Sequence, residues 1–234
     1  MAKEKVAVIT GASHGIGASL VSAYSEAGYN VVANSRSIGA GTNPSIVNIA
    51  GDIGEPDTAD RIMNEGVERF GRLDTLVNNA GIFISKPFTD YTQADYDAML
   101  ATNIAGFFYL TQRAVRLMER QGSGHIVNVT TTAAEQPIDG FPALLASLTK
   151  GALNAATKAL AIEYGPRGIR VNAVSLGIIK TQESDSYVGL ESLDPLRRLG
   201  EVDDVVSAVM YLEHAEFVTG EISHVDGGQS AGHW

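Results

Sequence analysis

The amino-acid sequence has 234 residues, 44% of them hydrophobic, which is enough to bury one sizeable core and is most simply a single domain spanning 1–234. Its 17 basic and 27 acidic residues sum to −10 with no basic cluster, which argues against nucleic acid and anionic membrane surfaces as partners. With no cysteine there is no disulfide, thiolate metal site or thiol nucleophile, and the five histidines (His14, His125, His214, His224 and His233) lack zinc-type spacing, so no metal is expected. No apolar run reaches the ~18 residues of a spanning helix and the first residues hold no signal core, so a cytoplasmic protein is expected.

In chain order, an aliphatic run over 5–10 reads as a buried strand and a helical pattern over 16–27 follows it. Strand-like runs come next over 30–33 and 45–49, then a helix over 58–70, a strand over 75–78 and a helix over 104–121. Strands over 125–129, 170–174 and 222–225 are interleaved with helices over 143–164 and 202–214. Seven strands alternating with helices predict an α/β fold with a doubly wound parallel sheet. Only nine residues, 36–44, connect the second and third strands, and three of them are glycine or proline. A parallel crossover needs about a dozen or more, so either the connecting helix has shrunk to about a turn or the strand boundaries lie elsewhere. The helix over 143–164 carries Leu144, Leu148, Ala152, Ala155 and Ala159 on or near one face, which suits packing on its own sheet or a subunit interface.

The turn after the first strand holds Thr10, Gly11, Gly15 and Gly17, with Ser13, His14 and Ile16 between them. Glycines there let the turn tighten, the backbone approach a pyrophosphate and the next helix aim its free N–H groups at the anion. The pattern resembles the signature of the short-chain dehydrogenase/reductase family, and further motifs follow in that family's order. Asp52 and Ile53 match its adenine contacts, Asn78, Asn79, Ala80 and Gly81 its fourth-strand motif, and Asn103 the helix asparagine that holds a proton-relay water. Residues 170–175 and 225–228 resemble its last two strands, with Thr219, Gly220 and Glu221 between them. The resemblance covers nearly the whole chain and implies a Rossmann fold and a homodimer or homotetramer.

Asn34, Ser35 and Arg36 end the second strand. No acid repels a 2′-phosphate there and Arg36 can pair with one, helped by Ser35, Ser13 and His14, so NADP(H) is the expected cofactor. In the resembled family a tyrosine passes a proton to or from the substrate, and a lysine four residues later binds the nicotinamide ribose. Lys150 fits that lysine, but position 146 is alanine, and the family's serine maps to Thr131 with about two extra residues in the following loop. An aliphatic hydroxyl does not replace a phenol of pKa ~10 as an acid. Substitutes in the sequence are Ser147, three residues before Lys150, Glu135 on the loop, and Tyr187 in an expected substrate loop over 182–198 that also carries Val188, Leu190 and Leu193. Gly177, Ile179 and Thr181 stand where the family contacts the carboxamide, and His233 and Trp234 form either a frayed tail or a contact to a neighbouring subunit.

Three readings follow. The first is an NADP(H)-dependent oxidoreductase with an atypical site acting on a small carbonyl, alcohol or activated double bond, in which Asn103, Thr131 and Lys150 hold cofactor and substrate while a substitute acid such as Ser147, or water, gives the proton. The second is a noncatalytic NADP(H)-binding regulatory protein or the silent subunit of a mixed oligomer. The third is nonredox proton abstraction by Lys150.

Overall fold

Strands covered on both faces need aliphatic residues at successive positions, and β1 (Val6–Thr10) is buried along its whole length. Val6 and Val8 join one core layer while Ala7 and Ile9 join the other. The computed structural model describes residues 4–181 and 194–232. It pairs β1 with β2 (Asn30–Ser35), β3 (Ile46–Ala50), β4 (Thr75–Asn78), β5 (Gly124–Thr131), β6 (Ile169–Leu176) and β7 (Ile222–Val225) in one sheet. All seven run parallel in the order β3-β2-β1-β4-β5-β6-β7. The doubly wound sheet expected from the alternating pattern is therefore present.

Helices α1 (Gly15–Glu26) and α6 (Val202–His214) pack together on one face. On the other lie α2 (Pro56–Phe70), α4 (Gly106–Gln121) and α5 (Leu144–Tyr164), with α3 (Gln93–Met99) at their end. Residues 182–193, with Tyr187, Val188, Leu190 and Leu193, and the terminal His233 and Trp234 lie outside the described residues.

The shortened connection expected between β2 and β3 is present and holds only turns and irregular chain, whereas the start of the helix expected from residue 104 needs correction. Asn48 on β3 does part of what a helix would do there, because its Nδ2 donates to the Gly39 carbonyl at 2.7 Å and ties the loop across the sheet edge, while Ile38 packs on the core layer below. The helix expected from residue 104 instead starts at Gln93 behind a Thr92–Asp95 capping box and passes through a π-helical segment, Leu100–Ala105, before becoming α4.

At the edge of the sheet where β4 and β5 begin, Glu213 of α6 is buried and accepts four kinds of donor. These are the hydroxyls of Tyr24 (3.1 Å), Tyr29 (2.9 Å) and Thr75 (3.0 Å) and Nδ1 of His125 (2.9 Å). Burial opposes ionisation, but the hydrogen bonds from His125, Tyr29 and Thr75 outweigh it and hold the carboxyl well below its ordinary value. Burial likewise keeps His125 neutral by lowering its pKa, and its Nε2, 3.2 Å from Asn172 Nδ2, is then the acceptor of that pair.

A carboxyl depressed on folding stabilises above its unfolded pKa of 4.5 and loses that contribution as pH falls. Urea unfolding should therefore show Glu213→Gln weaker than wild type by ~2–4 kcal/mol at pH ~7, with the gap closing towards pH ~3. A gap that stays constant with pH would contradict the assignment.

Candidate active site

β1 and β4 are neighbours, but the chain leaves β1 for β2 on one side and β4 for β5 on the other, so a crevice opens at their carboxyl ends. Thr10 and Asn79 clasp its floor. The Thr10 hydroxyl donates to the Val77 carbonyl (3.4 Å) and accepts from the N–H groups of Asn79 (3.1 Å) and Ala80 (2.9 Å). Asn79 Nδ2 returns bonds to the carbonyls of Thr10 (2.8 Å) and Gly11 (3.3 Å). Gly17 has to be glycine here, because a Cβ would overlap the Gly11 carbonyl and sit 2.7 Å from Asn79 Nδ2. α1 starts without a side-chain cap, leaving first-turn N–H groups for an anion.

The crevice is a cleft of about 390 Å³. The glycine turn supplies Gly11, Ser13, His14, Gly15, Ile16 and Gly17, and the end of β2 adds Ser35 and Arg36. Asp52 and Ile53 follow β3, Asn79, Ala80 and Gly81 follow β4, and Gly177, Ile179 and Thr181 follow β6, with Lys150 reaching in from α5. Every residue that the sequence assigned to the cofactor thus lines one cavity. Ser35 Oγ donates to Ser13 Oγ at 2.8 Å, and the exposed Arg36 makes no hydrogen bond or ion pair among the described residues.

At the inner end, Lys150 Nζ donates to the Val129 carbonyl at 2.8 Å, and burial pushes its pKa down to about 8. A Cβ on Gly81 would stand 2.8 Å from that Nζ and 3.3 Å from Asn103 Oδ1, so the three groups converge. The π-helical register turns Asn103 inward, but its side chain is engaged by the protein. Oδ1 accepts from Ile82 N (2.9 Å), and Nδ2 donates to Ile82 O (3.0 Å) and Thr149 Oγ1 (3.0 Å). Asn103 therefore positions the chain after β4.

A second pocket of about 120 Å³ adjoins the cleft, and Phe83, Thr131, Gly177 and Ile179 line both. Thr131 is the one of these four with a side-chain hydroxyl. Its Oγ1 donates weakly to the Leu176 carbonyl (3.3 Å), which Thr132 also reaches at 3.2 Å, so the Thr131 proton can turn towards a ligand without orphaning that carbonyl. Thr132, Ala133, Ile138, Phe141, Ile178 and Gln229 complete the wall.

Three expectations about proton donors resolve differently. Ser147 lines neither cavity: its hydroxyl donates to the Ala133 carbonyl at 2.7 Å and fastens α5 to the turn after β5. Glu135 faces away from the cleft, accepting from Asn154 (3.0 Å) and Ser175 (3.4 Å) and lying 3.3 Å from His224. Tyr187 is outside the described residues. Ala146 is fully buried.

The chain resembles known proteins in sequence and in fold. Residues 11–230 match the family model described as Enoyl-(Acyl carrier protein) reductase. The chain is 32% identical over 245 residues to the 3-oxoacyl-[acyl-carrier-protein] reductase FabG of Staphylococcus aureus, covering 97% of this chain and 99% of that one. Among solved structures, ElxO with NADP bound superposes with a TM-score of 0.90 at 31% identity, covering 98% of this chain and 100% of the other. A short-chain type dehydrogenase/reductase from Mycobacterium marinum gives the same TM-score at 29% identity, with 97% and 96% covered.

The depressed pKa of Lys150 sets a testable sign. The unfolded chain holds this proton up to about 10.5 and the folded chain to about 8, so stability rises with pH between the two values. Thermal melting of the nucleotide-free protein should show Lys150→Met more stable than wild type at neutral pH, with the advantage shrinking as pH passes from about 8 to 10.5. An advantage that grows over that window would refute the buried-cation description.

Proposed function

The chain belongs to the short-chain dehydrogenase/reductase family and is an oxidoreductase of that type, and we propose that it uses NADP(H) on a small carbonyl compound, alcohol or activated double bond without a tyrosine acid. The observation that carries this reading is the convergence of the glycine turn, Arg36 and Lys150 on one cleft. Gly17 lets α1 start hard against the Gly11 carbonyl and Gly81 leaves room for Lys150 Nζ, so the glycine turn and the lysine reach the same cleft.

The N–H groups of the glycine turn and the start of α1 hold the pyrophosphate. Arg36, with Ser13 and Ser35, holds the 2′-phosphate, and Asp52 and Ile53 border the adenine. Lys150 binds the nicotinamide ribose, while Gly177, Ile179 and Thr181 border the carboxamide. When bound, the cofactor supplies or accepts hydride. Thr131, at the seam between cleft and pocket, holds the substrate oxygen.

Loss of the phenol is tolerable because one proton donor contributes only ~10²–10⁴-fold, whereas alignment of the reacting atoms is worth more. The Lys150 ammonium and water are the remaining proton sources. A conjugated double bond suits this site best, since charge arriving on an enolate needs less help from an acid than charge arriving on an alkoxide. The noncatalytic reading has no observation in its favour. No helix among the described residues is long and apolar enough to cross a membrane, and a cytoplasmic site of action is part of the proposal.

The α4–α5 groove, lined by Phe107, Phe108, Val115, Leu160 and Tyr164, leaves Phe108 53% exposed. We assign a second copy of this chain as its cover, in a homodimer or homotetramer.

Three measurements test these assignments. Fluorescence titration should show NADPH binding more tightly than NADH, with Arg36→Leu reducing the preference by roughly tenfold, and Lys150→Ala should cut NADPH oxidation by ~10²-fold. Equal affinity for both nucleotides in wild type would overturn the Arg36 assignment. Sedimentation should show Phe108→Glu shifted towards monomer with nucleotide affinity retained; an unchanged oligomer would place the interface elsewhere.

A further inference from the structure

Ala146 and Lys150 stand one turn apart on the same face of α5, but Lys150 lines the cleft whereas Ala146 lines neither cavity. The methyl of Ala146 is fully buried in a cluster with Met99, Ala143 and Leu145, and Ile82, Ile84, Tyr91 and Phe141 pack on that cluster. Ile82 also lines the cleft and Phe141 the pocket, so the cover over Ala146 is the wall of the site itself. Phe141 is fixed in that wall. Its N–H donates to the Ile138 carbonyl at 3.2 Å, the Ser85 hydroxyl donates to the Pro142 carbonyl at 2.8 Å, and its ring stacks on Phe83 at 5.8 Å and 20°.

We infer that Phe141 occupies the volume that a proton-donating side chain at 146 would need, and that with Phe83 it turns the pocket into a flat apolar slot selecting planar conjugated carbonyl compounds. This rests on the reductase reading above. The pocket's size agrees: at about 120 Å³ it admits roughly one ring, since an apolar cavity of ~150 Å³ takes up benzene. Thr131 supplies a hydroxyl at the seam for the substrate oxygen. In the reaction, the β-carbon of the conjugated compound takes hydride from the reduced nicotinamide, the double-bond pair moves to the α-carbon, and water protonates that carbon. The products are the saturated carbonyl compound, the oxidised nucleotide and the hydroxide left by the protonating water.

The test compares wild type with Ala146→Tyr, Phe141→Ala and the double variant, first by melting without nucleotide. Ala146→Tyr should melt roughly 5 °C lower because its ring is overpacked, and adding Phe141→Ala should recover most of the loss. NADPH consumption is then followed with cyclohexenone and cyclohexanone, and the products are identified by gas chromatography. Wild type should form cyclohexanone from cyclohexenone and leave cyclohexanone itself unreduced. The double variant, but not Ala146→Tyr alone, should gain cyclohexanone reduction by ~10²-fold. Ala146→Tyr melting like wild type and reducing cyclohexanone unaided would overturn the inference, as would equal wild-type rates on the two compounds. Should the double variant not fold, Phe141→Ala decides: its KM for cyclohexenone should rise about tenfold with NADPH affinity retained, and an unchanged KM overturns the slot. Absence of NADPH binding in all four proteins would sink the reductase reading instead, and the melting comparison would then decide on its own whether Phe141 fills the space beside 146.

Discussion

The site depends on one close approach, that of the turn after β1 to the end of β4. Thr10 and Asn79 exchange bonds across the two strand ends, and Gly17 lies so near the Gly11 carbonyl that no side chain fits between them. With the floor locked, the divergence of the chain at β1 and β4 produces a crevice whose walls are the ends of β2, β3 and β6. Lys150 completes it from α5, held at the inner end by the Val129 carbonyl.

Opposite edges of the sheet treat buried charge differently. Around Glu213 the carboxylate has donors from α1, β4, β5 and the chain before β2, and burial is offset by hydrogen bonds. The Lys150 ammonium donates to a backbone carbonyl, with no carboxylate paired to it among the described residues, and desolvation is left to lower its pKa. A cation that desolvation destabilises at the inner end of a cleft marks a candidate site in a fold whose packing rules are otherwise obeyed. A similar departure from regularity occurs at Asn103, where the π-helical register gives up ordinary helix geometry and fixes Ile82 on both its N–H and its C=O.

The cleft proposed for the cofactor was legible because its residues sit at strand ends, in short motifs whose backbone requirements are local: glycine where a Cβ cannot fit, and a basic residue rather than an acid after β2. Proton donors were not legible in the same way. Ser147 is three residues from Lys150 in sequence, yet its hydroxyl is claimed by Ala133, and Glu135 is claimed by Asn154, Ser175 and His224, partners that only the tertiary fold assembles. The π segment left no composition signal, and Leu100–Ala105 straddles the start of the helix expected from residue 104. The shortness of the connection between β2 and β3 was legible from its nine residues, but not that Asn48 and Ile38 cover the edge strand there. The stacking of Phe141 on Phe83 is likewise assembled only by the tertiary fold.

The central claim is that the cleft presents a nicotinamide to the pocket beside Thr131 and that hydride passes there without a phenolic acid. It is tested most directly by NADPH carrying deuterium at the transferable position of the nicotinamide, incubated with the protein and a small conjugated ketone, with the product read by NMR. Deuterium is predicted at the β-carbon and solvent-derived hydrogen at the α-carbon. Deuterium retained entirely in the nucleotide would contradict the claim.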